Sequence, residues 1–450
     1  MPSLISPSSE LESSNFTSSS ETSGPDSYLG RSWSSVNFSV LAIYQIVMRT
    51  GWIFKTESII MPAVVDTISG AGWVRGCLPM LNRFGHSVPP LLLARRVKLL
   101  PQKKFAVLVT TGLMSVCFLL LAGIFVSGFA EQYAATATLM FLGIYSAFFI
   151  CVGVNQLALT TLQGKLVEAT RRGRLLLVAN TIGAVTAVGC AWFLLSRWIN
   201  DHSTRFDLIF GFSGILFATA ALTVLFLREG RDSFQQAAAK HAIFYFADAY
   251  RVIADDSSFR RLALVAGLFG TSLMLFPHYQ HLGLQRMELE TPNLMWWVII
   301  QNIGTGLFSI PVGAIADRYG NRPALKVVLL GVAVAPAVAI ALLHWGQVAI
   351  RFYCLVFVLV GLTPIVFRVL QNYTLELADP TNHPRYLSTL GLCIAAPIFF
   401  SPFAGYVIDW LGLEVVFLTI SALVFLGWTL TFGLREPRHQ AVSDVPDELE

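Results

Sequence analysis

Four ionisable side chains interrupt otherwise apolar stretches near the start of the chain: Arg49, Lys55, Glu57 and Arg83. Of the 27 acidic residues, Glu57 is the one that lies well inside an apolar segment. A carboxyl group there can carry a proton, because burial disfavours its charged form whereas a nearby cation favours that form. On a continuous helix Lys55 lies nearly opposite Glu57, so Arg83 on the next segment is the better partner. We predict proton coupling at Glu57; a permanent structural pair of Glu57 with Arg83 is the alternative.

The sequence lacks the patterns that signal nucleotide, metal or nucleophile chemistry. It contains no G-x-x-x-x-G-K-S/T loop, so ATP-driven chemistry is not expected. The six cysteines each lie inside an apolar segment without CxxC spacing, which is typical of small buried hydrophobes rather than of a disulfide or metal framework. They are Cys77, Cys117, Cys151, Cys190, Cys354 and Cys393. We expect no catalytic residue, no metal site and no cofactor.

The amino-acid composition indicates whether this chain is surrounded by water or by lipid. Of its 450 residues, 55% are hydrophobic and 13% are charged, with a mean hydropathy of +0.64. That charged fraction is about half the usual share of a soluble domain. These values predict a polytopic membrane protein with lipid as its neighbour. The net charge of +4 is too small to indicate a nucleic-acid partner.

Stretches long enough to cross a bilayer, about 20 mostly apolar residues, occur twelve times. They cover residues 38–64, 72–94, 105–127, 134–160, 174–196, 207–227, 260–282, 294–316, 324–343, 349–372, 387–409 and 413–434. We call these spans one to twelve; spans one and two are the least apolar. The predicted fold class is therefore all-α, a polytopic membrane protein with twelve transmembrane helices.

Basic residues outside the spans are distributed unequally between alternate loops. If both termini are cytoplasmic, the cytoplasmic loops and the C-terminal tail hold 21 Lys and Arg, whereas the outer loops hold five. The positive-inside rule requires this excess on the cytoplasmic side. We predict that both termini are cytoplasmic and that the chain lies in a plasma membrane of bacterial type, the inner membrane.

Short sequence matches recur about 205 to 225 residues apart and in the same order. "LFLREGR" at 225–231 closes span six and "FGLREPR" at 432–438 closes span twelve, while "RGRLLL" at 172–177 and "PRYLST" at 384–389 open spans five and eleven. These pairs predict two pseudo-symmetric six-helix halves. The predicted organisation is a disordered Ser-rich tail, a first half, a cytoplasmic linker with a surface helix, a second half and a C-terminal tail. Their bounds are 1–35, 36–227, 228–258, 259–436 and 437–450. At the end of the linker, "DDSSFRR" at 255–261 supplies Ser or Asp as an N-cap for span seven.

A charged cluster, "GAIADRYGNRP" at 313–323, separates spans eight and nine. It resembles the signature loop of the major facilitator superfamily, which reads Gly-x-x-x-Asp-Arg-x-Gly followed by Arg. The matching positions are Gly313, Asp317, Arg318, Gly320 and Arg322. "SPFAGYVIDWLGLEVVF" at 401–417 is similar to the turn between spans eleven and twelve of the same family. The resemblance covers residues 38 to 436.

The resemblance implies a cytoplasmic latch at this loop. Asp317 would face the positive N-terminal end of span eleven near Tyr386, Gly313 would let span eight approach a neighbour, and Gly320 would permit the reversal. Arg318 and Arg322 would pair with acids or with helix C-terminal carbonyls. In the first half "LLLARRVKLLPQKK" has Arg95 where the Asp belongs, so asymmetric gating is predicted. The alternative is that these are ordinary topology charges.

The resemblance also implies a central cavity lined by spans one, four, seven and ten, which carry polar side chains at helical spacing. Hydrogen bonding between helices is the alternative for the uncharged members, and reaching toward lipid headgroups is the alternative for Arg49 and Arg368. His278 and His281 are expected near the outer end of span seven. The candidate cavity residues are Gln45, Arg49, Glu57, Arg83, Gln156, Thr160, His278, His281, Asn302, Arg368, Gln371 and Asn372.

Together these features predict a secondary active transporter of the major facilitator class, a monomer that moves a small organic solute with protons as the coupling ion. The surplus of cavity cations favours an anionic or amphipathic solute. A non-transporting relative, such as a sensor or an accessory membrane protein, is the first alternative. An integral-membrane enzyme acting on lipids is the second, but the sequence offers no constellation for its chemistry.

Overall fold

The computed structural model describes residues 25–200, 204–231, 242–346, 351–379 and 382–435. Helices make up nearly all of this part of the chain, and within it the only extended pairing is one isolated antiparallel bridge between Ile199 and Thr204. The predicted all-α class is confirmed. The predicted C-terminal tail, residues 1–24 of the predicted N-terminal tail and residues 232–241 of the predicted linker lie outside the described residues.

Eight helices precede the linker. They are α1 (Pro25–Ile53), α2 (Ile60–Ile68), α3 (Gly72–Leu99), α4 (Lys104–Val126), α5 (Phe129–Gln132), α6 (Ala134–Leu166), α7 (Ala169–Trp198) and α8 (Phe206–Val224). The first begins at Pro25, earlier than the boundary predicted at 36. Proline fits the first turn of a helix, because the N–H that it lacks would have no helical partner there.

Ten helices follow. They are α9 (Ala242–Asp255) in the linker, then α10 (Ser257–Ser272), α11 (Phe276–His281), α12 (Asn293–Tyr319), α13 (Asn321–Leu343), α14 (Cys354–Val360), α15 (Thr363–Leu377), α16 (His383–Ile398), α17 (Ser401–Leu411) and α18 (Leu413–Leu430). As the sequence predicts, Asp256 caps α10: its Oδ1 accepts hydrogen bonds from the backbone N–H groups of Ser258 and Phe259, both at 2.9 Å.

Ten helical runs are long and apolar enough to cross a membrane, and they correspond to predicted spans three to twelve. Their bounds are 104–126, 134–166, 170–198, 206–224, 257–286, 293–319, 321–343, 354–377, 383–411 and 413–433. The first two predicted spans correspond to α1 with α2, and to α3. Both regions are helical, but they carry the charged and polar side chains from which the site is built.

Span one is not a continuous helix. Between α1 and α2 the backbone turns, and the carbonyl of Thr56 accepts hydrogen bonds from the N–H groups of Ile59, Ile60 and Met61. The Thr56 hydroxyl donates to the carbonyl of Ile53 at 2.7 Å. Lys55 and Glu57 therefore lie on a turn, where the angular spacing of a helix does not apply.

Aromatic packing fills the interior of the first group of helices. The ring of Phe118 on α4 lies edge-on to Phe148, Phe210 and Phe217, with centroid distances of 4.8, 5.6 and 5.3 Å. Such edge-to-face pairs are preferred geometries for aromatic side chains. In the second group, α10 packs on α16, α13 packs on α18 and α12 packs on α14. These two groups of helices supply the walls of the site.

The two groups meet along pairs of helices: α3 with α17, α7 with α12, and α2 with α11. We call the end of the bundle that bears residues 34 and 435 the terminal face, and the other end the distal face. At the distal face α3 and α17 approach so closely that only glycine fits. A Cβ built on Gly405 would lie 2.0 Å from the carbonyl oxygen of Gly72, and one on Gly76 would lie 2.3 Å from that of Ser401. Small residues of this kind let membrane helices pack closely.

This packing generates a first prediction. Gly405→Ala places a methyl group against a backbone carbonyl, and overpacking of this kind costs about 1–3 kcal/mol. We expect the melting temperature of the purified protein to fall. Gly391→Ala is the matched control on the preceding helix of the same span, because nothing lies within 4 Å of its added Cβ. Equal melting temperatures for the two variants would contradict the close approach.

Candidate functional site

A cavity of about 680 Å³ lies between the two groups of helices. Its polar lining comes from α1, α6 and α7 on one side and from α12 and α15 on the other. These lining side chains include Gln45, Arg49, Gln156, Asn180, Asn302 and Arg368. A volume of this size suits a small organic molecule, since ligand pockets are usually about 300–1,000 Å³.

The structure gathers half of the twelve predicted cavity residues around this space: Gln45, Arg49, Glu57, Gln156, Asn302 and Arg368. The other six lie elsewhere. Thr160 and Gln371 are exposed outside it, and the Thr160 hydroxyl bonds to the Gln156 carbonyl of its own helix. Arg83 and Asn372 line separate smaller cavities.

The two predicted histidines belong to the distal part of the bundle rather than to the cavity. His278 is fully buried, and no hydrogen-bond partner is described for either of its ring nitrogens. His281 lies with its Nδ1 3.1 Å from Asp66 Oδ2. Both residues are on α11, which packs against α2, so they lie toward the end of span seven that meets the distal face.

Arg49 and Arg368 face the cavity from opposite groups of helices. The Arg49 guanidinium donates to Asn180 Oδ1 at 2.8 Å. Arg368 is exposed to the cavity, and the two like charges are close enough to repel each other. Apart from Glu57, the other polar side chains of this lining are neutral amides and hydroxyl groups. In this conformation both guanidinium groups therefore face the cavity.

Glu57 has a different ion-pair partner from the one predicted. Lys55 Nζ lies 2.6 Å from Glu57 Oε1, and the Lys55 side chain is fully buried. The other carboxylate oxygen accepts a hydrogen bond from the Asn82 amide. The prediction that Lys55 is a poor partner was wrong because it assumed a continuous helix, whereas the chain turns between α1 and α2.

The Lys55 ammonium is also surrounded by aromatic rings. It lies 3.5 Å from the ring centroid of Trp52 and 4.5 Å from that of Phe149. The negative face of an aromatic ring attracts a cation, most strongly where water is excluded. This cage and the Glu57 carboxylate together compensate for the loss of hydration of the buried ammonium.

Arg83 lines a side cavity of about 180 Å³ that also reaches Glu57 and Asn82. Its guanidinium carbon lies 4.4 Å from the ring centroid of Phe367 on α15. No ion pair within 4.0 Å joins Arg83 to Glu57 in the described part of the chain. Arg83 thus bridges the two groups of helices through an aromatic ring, and Glu57 borders both cavities.

A polar cluster joins the two groups of helices at the distal face. We call it the distal clasp; its members are Asp66, Gly72, Arg75, His281 and Asp409. The Arg75 guanidinium, which is 1% exposed, forms an ion pair with Asp66 and lies 3.6 Å from Asp409 Oδ1. Asp409 Oδ2 accepts a hydrogen bond of 2.7 Å from the backbone N–H of Gly72. Asp409, at the end of α17, therefore caps the positive N-terminus of α3 across the interface.

Further contacts between the two groups lie on the distal side of the cavity. The Ser58 hydroxyl donates to Gln301 Oε1 at 2.6 Å, and the rings of Trp192 and Trp296 meet edge-on at 4.9 Å. With the clasp, these contacts close the distal face. The cavity wall nearer the terminal face is lined by Gln45, Arg49 and Arg368.

The loop between α12 and α13 has the predicted turn but not the predicted close approach. Gly320 adopts φ +95°, which other residues rarely adopt, and this permits the reversal. The Arg322 guanidinium donates to the carbonyl of Phe432 at 2.6 Å, at the end of α18. Gly313 has no atom within 4 Å of an added Cβ, so the close approach predicted there is not made in this conformation.

Asp317 and Arg318, the two charges at the centre of this loop, are exposed. Asp317 lines a small cavity with Asn372 and Glu376 of α15. Tyr386, its predicted neighbour on span eleven, donates its hydroxyl to Asp256 Oδ2 at 3.0 Å. At the opposite end of the bundle Asp409 makes an interaction of the same kind, because it caps the N-terminus of α3.

Sequence reasoning missed most of the distal clasp, and it missed Asn82 and Asn180. Asp66 and Asp409 were visible as acids at span ends, and Arg75 as a basic residue in an outer loop. The usable signal was the glycine pair Gly72 and Gly405, each within six residues of one of these charges. A glycine near a charged residue at the end of a span marks a position where the backbone of another helix can approach closely.

Sequence comparison identifies a family for the second half of the chain. The family model of the Major Facilitator Superfamily matches residues 288–449. No curated protein sequence matches the chain at a significant level.

The fold is similar to that of several solved transporter structures. A variant of the nucleoside transporter NupG has a TM-score of 0.68 at 12% identity, covering 89% of this chain and 100% of that one. A POT family transporter in complex with 5-aminolevulinic acid has 0.66 at 12%, covering 89% and 96%. A bacterial homologue of the iron transporter ferroportin, in an inward-facing state, has 0.65 at 13%, covering 88% and 98%. At these identities the likeness shows the fold alone.

The distal clasp generates a second prediction. Asp409→Asn removes the charge that faces Arg75 and weakens the cap on α3. A charge at a helix end contributes about 0.3–1 kcal/mol, and up to about 2 kcal/mol where it is partly buried. We expect hydrogen–deuterium exchange of the first turn of α3 to accelerate severalfold.

Asp207→Asn is the matched control. Asp207 also lies near the distal face and pairs with Arg205, its neighbour in the same group of helices. Exchange of the first turn of α3 should not change in this variant. Equal exchange of that turn in wild type and Asp409→Asn would show that the clasp does not hold it.

Proposed function

We propose that this chain is a secondary active transporter of the Major Facilitator Superfamily that moves a small organic solute by alternating access. The observation that carries the proposal is the cavity of about 680 Å³, which has polar walls from both groups of helices and contacts between those groups on its distal side. Transporters built from related halves bind their solutes at the interface of those halves and rock around that site.

The interface has the properties that such motion requires. Its polar contacts are concentrated in the distal clasp and in the Ser58–Gln301 pair, so one end can part without unfolding either group of helices. We propose that these groups are two six-helix halves, 36–227 and 259–436, joined by the 228–258 linker. In the second conformation the clasp opens and the terminal face closes.

We assign the terminal face to the cytoplasm of a bacterial cell, and the protein to its inner membrane. The support is the excess of basic residues in the loops of that face, as the positive-inside rule requires. The described conformation is then inward-facing, the state named for the ferroportin homologue of similar fold. The loop containing Asp317, Arg318 and Arg322 lies at this face, and we propose that it closes the face in the outward-open state.

We propose that Glu57 couples transport to protons. Its carboxylate is 22% exposed and borders both the main cavity and the side cavity. In this conformation Lys55 pairs with one oxygen of the carboxylate and the Asn82 amide donates to the other, while Arg83 lies on the wall of the side cavity. Rocking moves the wall that contains Phe367 and thereby changes the exposure of Glu57. A carboxyl group whose surroundings alternate in this way takes up a proton in one state and releases it in the other.

The test of the proposed function is transport itself. A thermal-shift screen of purified protein selects solutes, and proteoliposomes are then assayed for uptake of each hit under an imposed proton gradient. We expect uptake that requires the protein and collapses when the gradient is dissipated. Thr160→Val is a control variant outside the cavity and should transport normally. Binding of solutes without uptake or exchange would contradict the transporter proposal and favour a sensor.

Glu57 gives a third prediction. Glu57→Gln keeps the shape of the side chain but cannot alternate its charge. We expect gradient-driven accumulation to be lost while solute exchange persists. Glu131→Gln, which alters an acid at the exposed distal helix α5, should leave both activities intact. Full accumulation by Glu57→Gln would contradict a coupling role.

A structural role needs a separate control, because Glu57→Gln leaves Lys55 buried without its counter-charge. Breaking a buried pair in this way costs about 3–5 kcal/mol. The double variant Lys55→Met with Glu57→Gln removes both charges and should restore stability. If accumulation returns together with stability in the double variant, Glu57 is a structural residue and the coupling proposal fails.

A further inference from the structure

The charges around the main cavity do not balance. Three ionisable side chains line it: Arg49, Glu57 and Arg368. Glu57 is compensated by Lys55 at 2.6 Å. Arg49 and Arg368 have no acidic partner within 4.0 Å in the described part of the chain. Two positive charges therefore face a common space within the membrane-spanning region.

Neither guanidinium is positioned by a counter-charge. Arg49 is held by a neutral acceptor, Asn180 Oδ1 at 2.8 Å, and its side chain packs against the backbone of Gly183, where an added Cβ would lie 3.0 Å from Arg49 Cδ. Arg368 projects into the cavity from α15. Because like charges that face one cavity repel each other, a negative charge that enters between them stabilises the arrangement.

The other lining residues indicate the chemistry of the uncharged part of such a ligand. Gln45, Gln156 and Asn302 offer neutral donors and acceptors around the two guanidinium groups. Trp52 and Phe276 supply aromatic surface on the side toward the distal face. Pockets that combine apolar walls with a few polar groups bind small organic molecules. A simple inorganic ion would leave most of this cavity unused.

We propose that Arg49 and Arg368 form a two-sided clamp for the oxyanion group, a carboxylate or a phosphate, of a small soluble organic anion. The inference rests on the proposed function, because it names the substrate class of the same cavity. A guanidinium binds such groups with paired charge-assisted hydrogen bonds. One Arg comes from each half, so the anion replaces a repulsion between the halves with two attractions. Binding therefore draws the halves together at the level of the cavity.

Three pairs of probe compounds test the clamp: succinate against succinamide, benzoate against benzamide, and glycerol 3-phosphate against glycerol. Each member is titrated at constant ionic strength into delipidated protein while its melting temperature is followed. We expect an anion of at least one pair to stabilise the protein and its neutral analogue to have no effect. The proposal would be overturned if the protein were stabilised only by the neutral analogues, or only by neutral or cationic compounds of the thermal-shift screen.

Variants assign the effect to the two guanidinium groups. Arg49→Gln and Arg368→Gln should each weaken binding of the stabilising anion about 10–100-fold, the usual effect of losing a hydrogen bond between charged groups. Arg351→Gln, at an exposed position outside the cavity, should bind as wild type does. Unchanged affinity in both cavity variants would overturn the proposal.

Two further readouts keep the result distinct from misfolding and from lipid binding. Without ligand, Arg368→Gln should melt at or above the wild-type temperature, because it relieves a repulsion; a marked loss of stability would show a structural role and contradict the clamp. The second readout is the melting temperature of the protein in nanodiscs with and without anionic phospholipid. If anionic lipid alone stabilises the protein through these arginines, their ligand is a headgroup and not a soluble anion.

Failure of the clamp and failure of the transporter proposal give different results. Anion binding through both arginines without uptake into proteoliposomes would leave the clamp standing and overturn transport. Gradient-driven uptake of a solute that is unaffected by Arg49→Gln and Arg368→Gln would leave the transporter proposal standing and overturn the clamp.

Discussion

A charged side chain inside a bilayer must find a counter-charge, a polar cavity or an aromatic face, since burial without one costs several kcal/mol. The architecture of this protein follows from how that constraint is met. Lys55 is satisfied by Glu57 and by the rings of Trp52 and Phe149. Arg75 is satisfied by Asp66 and Asp409. Arg49 and Arg368 are left facing the cavity.

The paired charges and the unpaired ones have different consequences. Arg75 pairs with one acid from each group of helices, so its pairing joins the groups and closes the distal face. Glycines at 72 and 405 allow the backbones to approach closely enough for that pairing. In the clamp that we propose, the cations without acidic partners instead bind a solute of opposite charge. The same electrostatic requirement thus produces a closed end and a binding site, and a transporter needs both.

More of the fold than of the site could be predicted from the sequence. Periodic apolar stretches of sufficient length identified ten spans that the structure reproduces, and Asp256 announced the start of α10. Glu57 and Arg49 were found as cavity residues because charges in apolar segments are rare. Their partners were not found, since pairing depends on the turn between α1 and α2 and on contacts such as Gly72 with Gly405, more than 300 residues apart. Gly313 and Asp317 matched a motif, but the close approach predicted at Gly313 is not made in this structure.

Paired spin labels at both faces test the central claim, that the halves rock about the cavity, most directly. One pair at Val126 and Trp345 reports the distal face, and another at Leu99 and Tyr319 reports the terminal face; all four side chains are exposed. Distances are measured in nanodiscs while a transported solute is titrated. The account predicts reciprocal changes, with distal distances lengthening in the same fraction of molecules whose terminal distances shorten. Distances that change in the same direction at both faces, or at one face only, would contradict it.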